Sequence, residues 1–593
     1  MQYILGAYSQ LPFGTNSDEY EALLSRQLKP LLTKVYQEPN LKLLFHLGAS
    51  EYEYFEANHP EINMLICDLC RKGQMELLSS SYYDVVLSLL PAHERASHVE
   101  KTTTYLRKKF VKRPKGLWCY NQIFSPTLIP NVNMCGLDYV MISSYNQIAN
   151  VNLLNKPFYM EEMGKSTIIF PFDDKFSKET AELAKGNLTL DKYFQDMGKL
   201  AASVSGAINT IMLNLDQLTS VEGSQEVFSI LYSKLGPNST LPSVFLSQNE
   251  IKRYFYFTTG VYGRDISLGK ALSINQYILE YPISSQNFGI LNMLRDAIRD
   301  CKKNTDERKS LEKLFMKAST SAPYMPNLNM IPSIRRVSNK CLCEIEGILS
   351  KLPGSYIPNS KNGIQITSGK GSICYLNPKG ATLSRINVIS ALYDISMNCG
   401  EGIFADSFID NSTGKETKLS AKVYEVTADK RRTDFIAKLL SQDIKKVPLC
   451  ITKHFKFRQS TISLEVDIEN SDSNNSLEGV DYCCVMDLAL PKVLEVKTPA
   501  GQVLNLEGIK TNSFSIDDQS FPVNIFVVLD EEALVSSKNN EQKVHTCIGD
   551  KTIYEYTQIK IRKKISLKPL QDTRITIGLR LEKRKEKSND TTK

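Results

Sequence analysis

From its N-terminus the chain alternates short apolar runs with longer stretches in which apolar residues return every three to four positions. Gln2–Ala7, 41–47, Met75–Leu78, 116–119, 139–142, 167–170 and 208–213 read as seven strands. Between the first two, a helix beginning near Asp18 carries Leu23, Leu24, Leu28, Leu31, Leu32 and Val35 on one face. A second helix opens at Pro60, a favoured first-turn residue, and stops at Lys72-Gly73, a basic last turn followed by glycine. A third runs from about Ala92 to Phe110. Strands separated by helix-length connections pair in parallel, because a parallel crossover needs that much chain. Seven such units predict an α/β architecture closing as a (β/α)7 barrel over residues 1–262, with functional side chains at the C-terminal ends of its strands.

The pattern changes twice more. Residues 287–302, 306–317 and 331–350 carry helical periodicity, which marks 263–351 as a helical domain. From about Ile364 the period falls to two, as in 461–468, 552–565 and 574–581, with one helix expected near 431–440. Residues 352–582 therefore predict an antiparallel β-sandwich, in which 471–476 and 536–542 are polar enough to be hairpin loops. The charged end, 583–593, is expected to be a disordered tail.

Composition narrows the class of function. A hydrophobic fraction of 42% and a charged fraction of 23% are those of a globular protein, and no run approaches the ~18 apolar residues of a membrane span. The net charge of +7 sits in short runs such as Arg107-Lys108-Lys109, without a nucleic-acid-binding signature. The thirteen cysteines include one CxxC, Cys67 and Cys70, inside a helical stretch and without a second pair at zinc spacing. No metal, cofactor, nucleic acid or membrane is expected as a partner, and a reducing cytoplasm is the expected compartment. The sequence does not specify an oligomeric state.

Several short stretches then stand out in order. They are Tyr8-Ser9-Gln10-Leu11-Pro12 after the first strand, and Lys72-Gly73-Gln74-Met75-Glu76-Leu77 with Tyr83-Asp84 around the third. Gly116-Leu117-Trp118-Cys119-Tyr120-Asn121-Gln122-Ile123-Phe124-Ser125-Pro126 spans the fourth, and Ile169-Phe170-Pro171-Phe172-Asp173-Asp174 the sixth. With Tyr281-Pro282 and Ile331-Pro332-Ser333-Ile334-Arg335-Arg336, this series resembles glycoside hydrolase family 57, in particular its 4-α-glucanotransferase and α-amylase-like branch. The resemblance implies a (β/α)7 barrel, a helical segment and a retaining reaction on α-glucans.

Retaining chemistry needs two carboxyl groups ~5 Å apart, one as nucleophile and one as acid. The family's nucleophile is a glutamate of the fourth-strand stretch, and that position is Asn121 here. Its acid follows the seventh strand, which places Asn214 at that position and leaves Asp216 as a possible surviving acid. Tyr8 and Gln10 stand for the two histidines of the opening motif, Ser143-Ser144 for a pair of acids, and Tyr324-Met325-Pro326-Asn327 for an aromatic-His-Gly stretch. Of six histidines only His46 ends a barrel strand, where a partly buried ring is expected; His93 and His98 are expected to face solvent.

Tyr8, Gln10, Tyr83, Asp84, Trp118, Tyr120, Phe124 and Asp173, with Tyr145 beside them, are candidates for binding an α-glucan or maltooligosaccharide, since tyrosine and tryptophan rings suit sugar stacking. The same rings would equally plug a collapsed mouth. Three readings follow. A catalytically impaired descendant would bind glucan or a partner. An active hydrolase or glucanotransferase would pair Asp84 or Asp173 with Asp216. A structural or regulatory scaffold would bind no sugar.

Overall fold

The computed structural model describes residues 2–143, 156–172, 175–201, 208–256, 273–302, 305–325, 331–352, 365–368, 371–397 and 399–584. The chain divides into two compact units. One comprises Met1–Phe288, Ser319–Ser338 and Val544–Lys551; the other comprises Gly289–Ala318, Asn339–Lys543 and Thr552–Lys593. The expected helices are present as Pro282–Asp300, Asp306–Ala318 and Pro332–Leu349, and their residues are shared between the units.

The first unit is built on eight strands: β1 (Tyr3–Tyr8), β2 (Leu43–His46), β3 (Met75–Ser79), β4 (Gly116–Trp118), β5 (Tyr139–Ser143), β6 (Phe158–Glu162), β7 (Lys165–Phe172) and β8 (Asn209–Asn214). The ladder runs β6-β7-β5-β4-β3-β2-β1-β8 and is parallel throughout except for β6, which pairs antiparallel with β7. All seven predicted strands are there, and β6 is an addition the periodicity did not flag. Side chains from all seven parallel strands, among them Ile4, Leu44, Leu78, Trp118, Tyr139, Phe170 and Met212, meet in a single buried cluster that is the barrel interior. Gly116 shows how tightly the wall is packed. A Cβ there would lie 2.2 Å from the Tyr139 ring, so only glycine lets that ring cross β4.

The strands are joined by α1 (Ser17–Leu23), α2 (Lys29–Gln37), α3 (Ala49–Asn58), α4 (Pro60–Arg71), α5 (Ala92–Phe110), α6 (Ile129–Met134), α7 (Lys175–Ala184) and α8 (Leu190–Ala201). After β8 come α9 (Leu215–Thr219), α10 (Ser224–Leu235) and α11 (Pro242–Gln248). The helix expected as one piece from Asp18 is interrupted by a π-turn at Leu24–Leu28. Pro30 lacks an N–H and its ring crowds the carbonyl four residues back, which widens the turn before it. The stop at the end of α4 is a Schellman cap: Gly73 has φ +66°, Gly73 N donates to Cys70 O and Gln74 N to Leu69 O.

The second unit carries a fifteen-stranded antiparallel sheet that curls over on itself around one large core including Phe404, Phe435, Phe455, Leu464, Phe514 and Ile577. Its C-terminal part is the expected β-sandwich, with three local corrections. The helix expected near 431–440 is the strand Asp434–Ser441, which buries Phe435, Ala437, Leu439 and Ser441 alternately and pairs with Leu449–Arg458. Residues 471–476 are not a hairpin loop, because the strands they join, Thr461–Asn470 and Leu477–Leu488, pair with other neighbours. Residues 536–542 lie inside the strand Val523–Thr546, whose polar side chains belong to an exposed ribbon while its backbone is satisfied by the ladder. The last strand runs to Lys583, and Arg584 N still donates to Pro522 O, so order extends past the expected start of the tail; residues 585–593 lie outside the described residues.

Two buried charge clusters tie the second unit together. Arg385 is paired with Glu346 and Asp394, both at 3.0 Å, and Lys453 with Asp406 at 3.0 Å. Among the described residues no helix is long and apolar enough to cross a membrane.

Candidate functional site

Five adjacent strands deliver their C-terminal ends to one region of the first unit, and each brings a polar group there. Beyond β1 come Ser9 and Gln10, and beyond β2 comes Gly48, which opens α3 and its Glu51. Beyond β3 come Tyr83 and Asp84, beyond β4 Asn121, and beyond β8 Asn214 and Asp216. Tyr83 and Asp84 (φ +61° and +57°) and Asn121 and Gln122 (φ +50° and +55°) are two pairs of consecutive left-handed, non-glycine residues. Such strain, of order 1 kcal/mol per residue, persists where the surroundings over-determine the backbone, and it concentrates at functional sites.

Asn121 is held by Gln10. The Gln10 Nε2 donates to Asn121 Oδ1 at 3.2 Å, while Gln10 Oε1 accepts from Asn121 N at 3.2 Å and from Trp118 Nε1 at 3.1 Å. The residue expected in place of a histidine therefore clamps the residue expected in place of the nucleophile. Asn214 is an N-cap: its side-chain oxygen accepts from Asp216 N at 3.0 Å and Gln217 N at 3.2 Å. The side chain that caps α9 is thus Asn214, which leaves the Asp216 carboxyl out of that role.

Asp216 turns instead toward β1. Its Oδ2 accepts from Gln10 N at 3.0 Å, and its Oδ1 lies in hydrogen-bond contact with the Ser9 hydroxyl. The same hydroxyl contacts Glu51 Oε1, and Glu51 Oε2 accepts from Gly48 N at 2.6 Å, closing the N-terminus of α3. A Cβ on Gly48 would sit 3.0 Å from both Glu51 Oε2 and Asp84 Oδ1, so the glycine makes room for two carboxyl groups side by side. The Asp84 Oδ2 lies 3.4 Å from Ser50 Oγ. Glu51 and Asp84 are fully buried and Asp216 is partly exposed. Burial pushes Glu51 well above the usual carboxylate range, with the Asp216 charge adding to it. Burial raises Asp84 to about 7. Glu51 is absent from any sequence expectation; its signal would have been a glutamate three residues past a glycine at a helix start, which reads only as a capping device.

The aromatic candidates are placed differently from the expected cleft lining. Tyr8, Tyr83, Trp118, Tyr120 and Phe124 are all buried, and they pack on one another and on the core. Tyr8 sits 4.4 Å from the Trp118 ring, which also stacks on His46 and Phe172. The hydroxyls of Tyr82 and Tyr83 both donate to Glu53, and Tyr120 and Phe124 belong to separate apolar clusters. Asp173, Asp174, Ser144 and Tyr145 lie outside the described residues. His46 is fully rather than partly buried, and burial lowers its pKa to about 3. His98 is also buried, contrary to expectation. Its Nδ1 is 2.8 Å from Tyr82 O, because position 98 falls on the inner face of α5, while His93 is exposed.

The remaining motif residues serve the frame. Gln74 Nε2 donates to Val35 O and Glu38 O, and Glu76 accepts from Tyr139 and Ser243 hydroxyls, each at 2.6 Å. All thirteen cysteines are free thiols, and burial raises Cys70 to about 12. Among the described residues no group of three or more His, Cys, Asp or Glu side chains could hold a metal ion.

Comparison with known proteins places this geometry. The model of glycosyl hydrolase family 57 matches residues 4–222. An alpha-amylase of Pyrococcus abyssi is 28% identical over 182 residues, which are 30% of this chain and 27% of that protein. A 4-alpha-glucanotransferase of Thermococcus kodakarensis is 26% identical over 178 residues, again 30% of this chain and 27% of the relative. These alignments thus span about a quarter of either relative. The crystal structure of a 4-alpha-glucanotransferase from Thermococcus litoralis superposes over 98% of this chain and 99% of its own with a TM-score of 0.81 at 16% identity, which establishes the shared fold. The match to glycosyl hydrolase family 57 thus covers residues 4–222, the segment that forms the first unit's strands and carries Glu51, Asp84, Asn121 and Asp216.

Proposed function

We propose that the protein takes part in α-glucan metabolism, in a reducing cytoplasm, as a glucan-binding member of its family without the family's retaining reaction. The observation that carries this reading is Asn121, an amide at the nucleophile position, clamped by Gln10, whose Oε1 also accepts from Trp118 Nε1. An amide has no charge to offer an oxocarbenium-like transition state and is a poor nucleophile. The position of the acid supports the same reading, since Asn214 spends its side chain capping α9. Glu51 and Asp84 are too deeply buried to reach a glycosidic bond.

The test is incubation with maltooligosaccharides of defined length. Neither glucose release nor disproportionation is expected, while calorimetric titration gives saturable binding. A second reading, an enzyme with relocated carboxylates, draws on Asp216, whose partly exposed carboxylate accepts from Gln10 N. Products that disappear in Asp216→Ala would establish it and overturn the first. Absence of both products and binding would favour a scaffold.

A further inference from the structure

Ser9 has a single hydroxyl hydrogen, yet its Oγ contacts a carboxyl oxygen on either side, Glu51 Oε1 and Asp216 Oδ1. One hydrogen cannot serve two ionised acceptors. A second proton is therefore required in the Glu51–Ser9–Asp216 chain, and the surroundings decide where it resides.

Glu51 occupies a site shaped for a neutral acid. One of its oxygens faces a donor, Gly48 N, and the other faces the Ser9 oxygen. A carboxylic acid satisfies both, with its carbonyl oxygen accepting and its O–H donating. Asp216 faces two donors once Ser9 turns its hydrogen outward: Gln10 N at one oxygen and Ser9 at the other. Charge also favours that end, because Glu51 is fully buried and Asp216 partly exposed, and an ionised group is cheaper where water reaches it. The titratable groups that act on Glu51 from its surroundings are Asp216 on α9, Asp84 after β3, Tyr20 on α1, Tyr52 on α3 and Cys547 in the segment Val544–Lys551; none is a cation.

We infer that Glu51 is a positioning residue: as a neutral acid it donates to Ser9, which passes its own hydrogen to Asp216 and so fixes Asp216 as the charged acceptor for a hydroxyl-rich ligand. The ligand class rests on the proposed glucan-binding function; the proton arrangement does not. No covalent step is involved.

Three variants test it. Glutamine reproduces a neutral acid atom for atom, its Oε1 accepting from Gly48 N and its Nε2 donating to Ser9, whereas alanine breaks the chain. Urea unfolding is followed by fluorescence of Trp118, the chain's one tryptophan, which lies in the barrel interior. Near pH 6, Glu51→Gln is expected to keep the wild-type midpoint, and toward pH 8 to lose part of the wild-type decline. Glu51→Ala and Ser9→Ala are expected to lower the midpoint at every pH. In infrared spectra near pH 7, the C=O band of a protonated carboxyl is expected in the wild type and weakened in Glu51→Gln.

In the binding arm, maltoheptaose affinity is expected to fall about tenfold in Glu51→Ala, the scale of one lost charge-assisted hydrogen bond, and to be rescued by Glu51→Gln. Glu51→Gln as damaging as Glu51→Ala, or an infrared band that Glu51→Gln leaves intact, would overturn the inference. If the wild type binds no maltoheptaose, the glucan-binding function fails while the midpoints and the band still decide the role of Glu51.

Discussion

Replacing Asp84 with asparagine should make the barrel less sensitive to alkaline pH, and the size of the effect can be worked out. The carboxyl is fully buried, and its pKa stands at about 7 against an ordinary 3.8. Because the folded value is raised, the native state keeps a proton that the unfolded chain has released. This stabilisation is complete below about pH 4 and is lost as pH climbs through about 7. A shift of roughly three units corresponds to about 4 kcal/mol over the whole window, and to about 2–3 kcal/mol between about pH 5 and pH 8. Asparagine suits the site because it mimics the neutral acid and tolerates the left-handed backbone, φ +57° at this position. Urea unfolding read from Trp118 at several pH values reports the barrel directly, and the titrations common to both proteins largely cancel in the difference. Asp84→Asn should gain on the wild type by about 2–3 kcal/mol over that range. A difference that stays flat with pH would show that Asp84 ionises normally, and would refute the burial argument.

Further outcomes follow from the same packing. Trp118→Ala removes a wholly buried ring that touches Tyr8, His46 and Phe172, and should cost about 3–5 kcal/mol in urea unfolding followed by circular dichroism. Arg385→Ala leaves Glu346 and Asp394 buried without their cation and should destabilise the second unit by about 3–5 kcal/mol, whereas Lys at the same place should recover only part of that; calorimetry reads both. Gly48→Ala, at an ordinary φ of −63°, should still cost about 1–3 kcal/mol, because its methyl would press on Glu51 and Asp84; a silent substitution would mean the two carboxyls can part freely.

The order of strands and helices in the first unit is written in local periodicity. Each strand is a short apolar run, and the end of α4 is spelled out by Lys72 and Gly73. Elsewhere the local pattern is ambiguous. Residues 434–441 carry enough leucine and alanine to suggest a helix, and only pairing with Leu449–Arg458 makes them a strand. The polar run at 536–542 looks like a loop until the neighbouring strand satisfies its backbone.

Asn121 stands out in the sequence, because Trp118 and Pro126 hold the register of the motif around it and the resemblance expects a glutamate there. Its partner in the fold was not legible. Gln10 and Asn121 are 111 positions apart, and Ser9 and Asp216 are 207 apart, so no local pattern could reveal that they bond. Glu51 was the least legible of all, since along the chain it is one glutamate in the first turn of a helix. Sequence by itself determined the strands and helices of the first unit and their order. Tertiary structure alone decided which carboxyls share a proton, because ionisation depends on burial and on neighbours brought together from five separate strand ends.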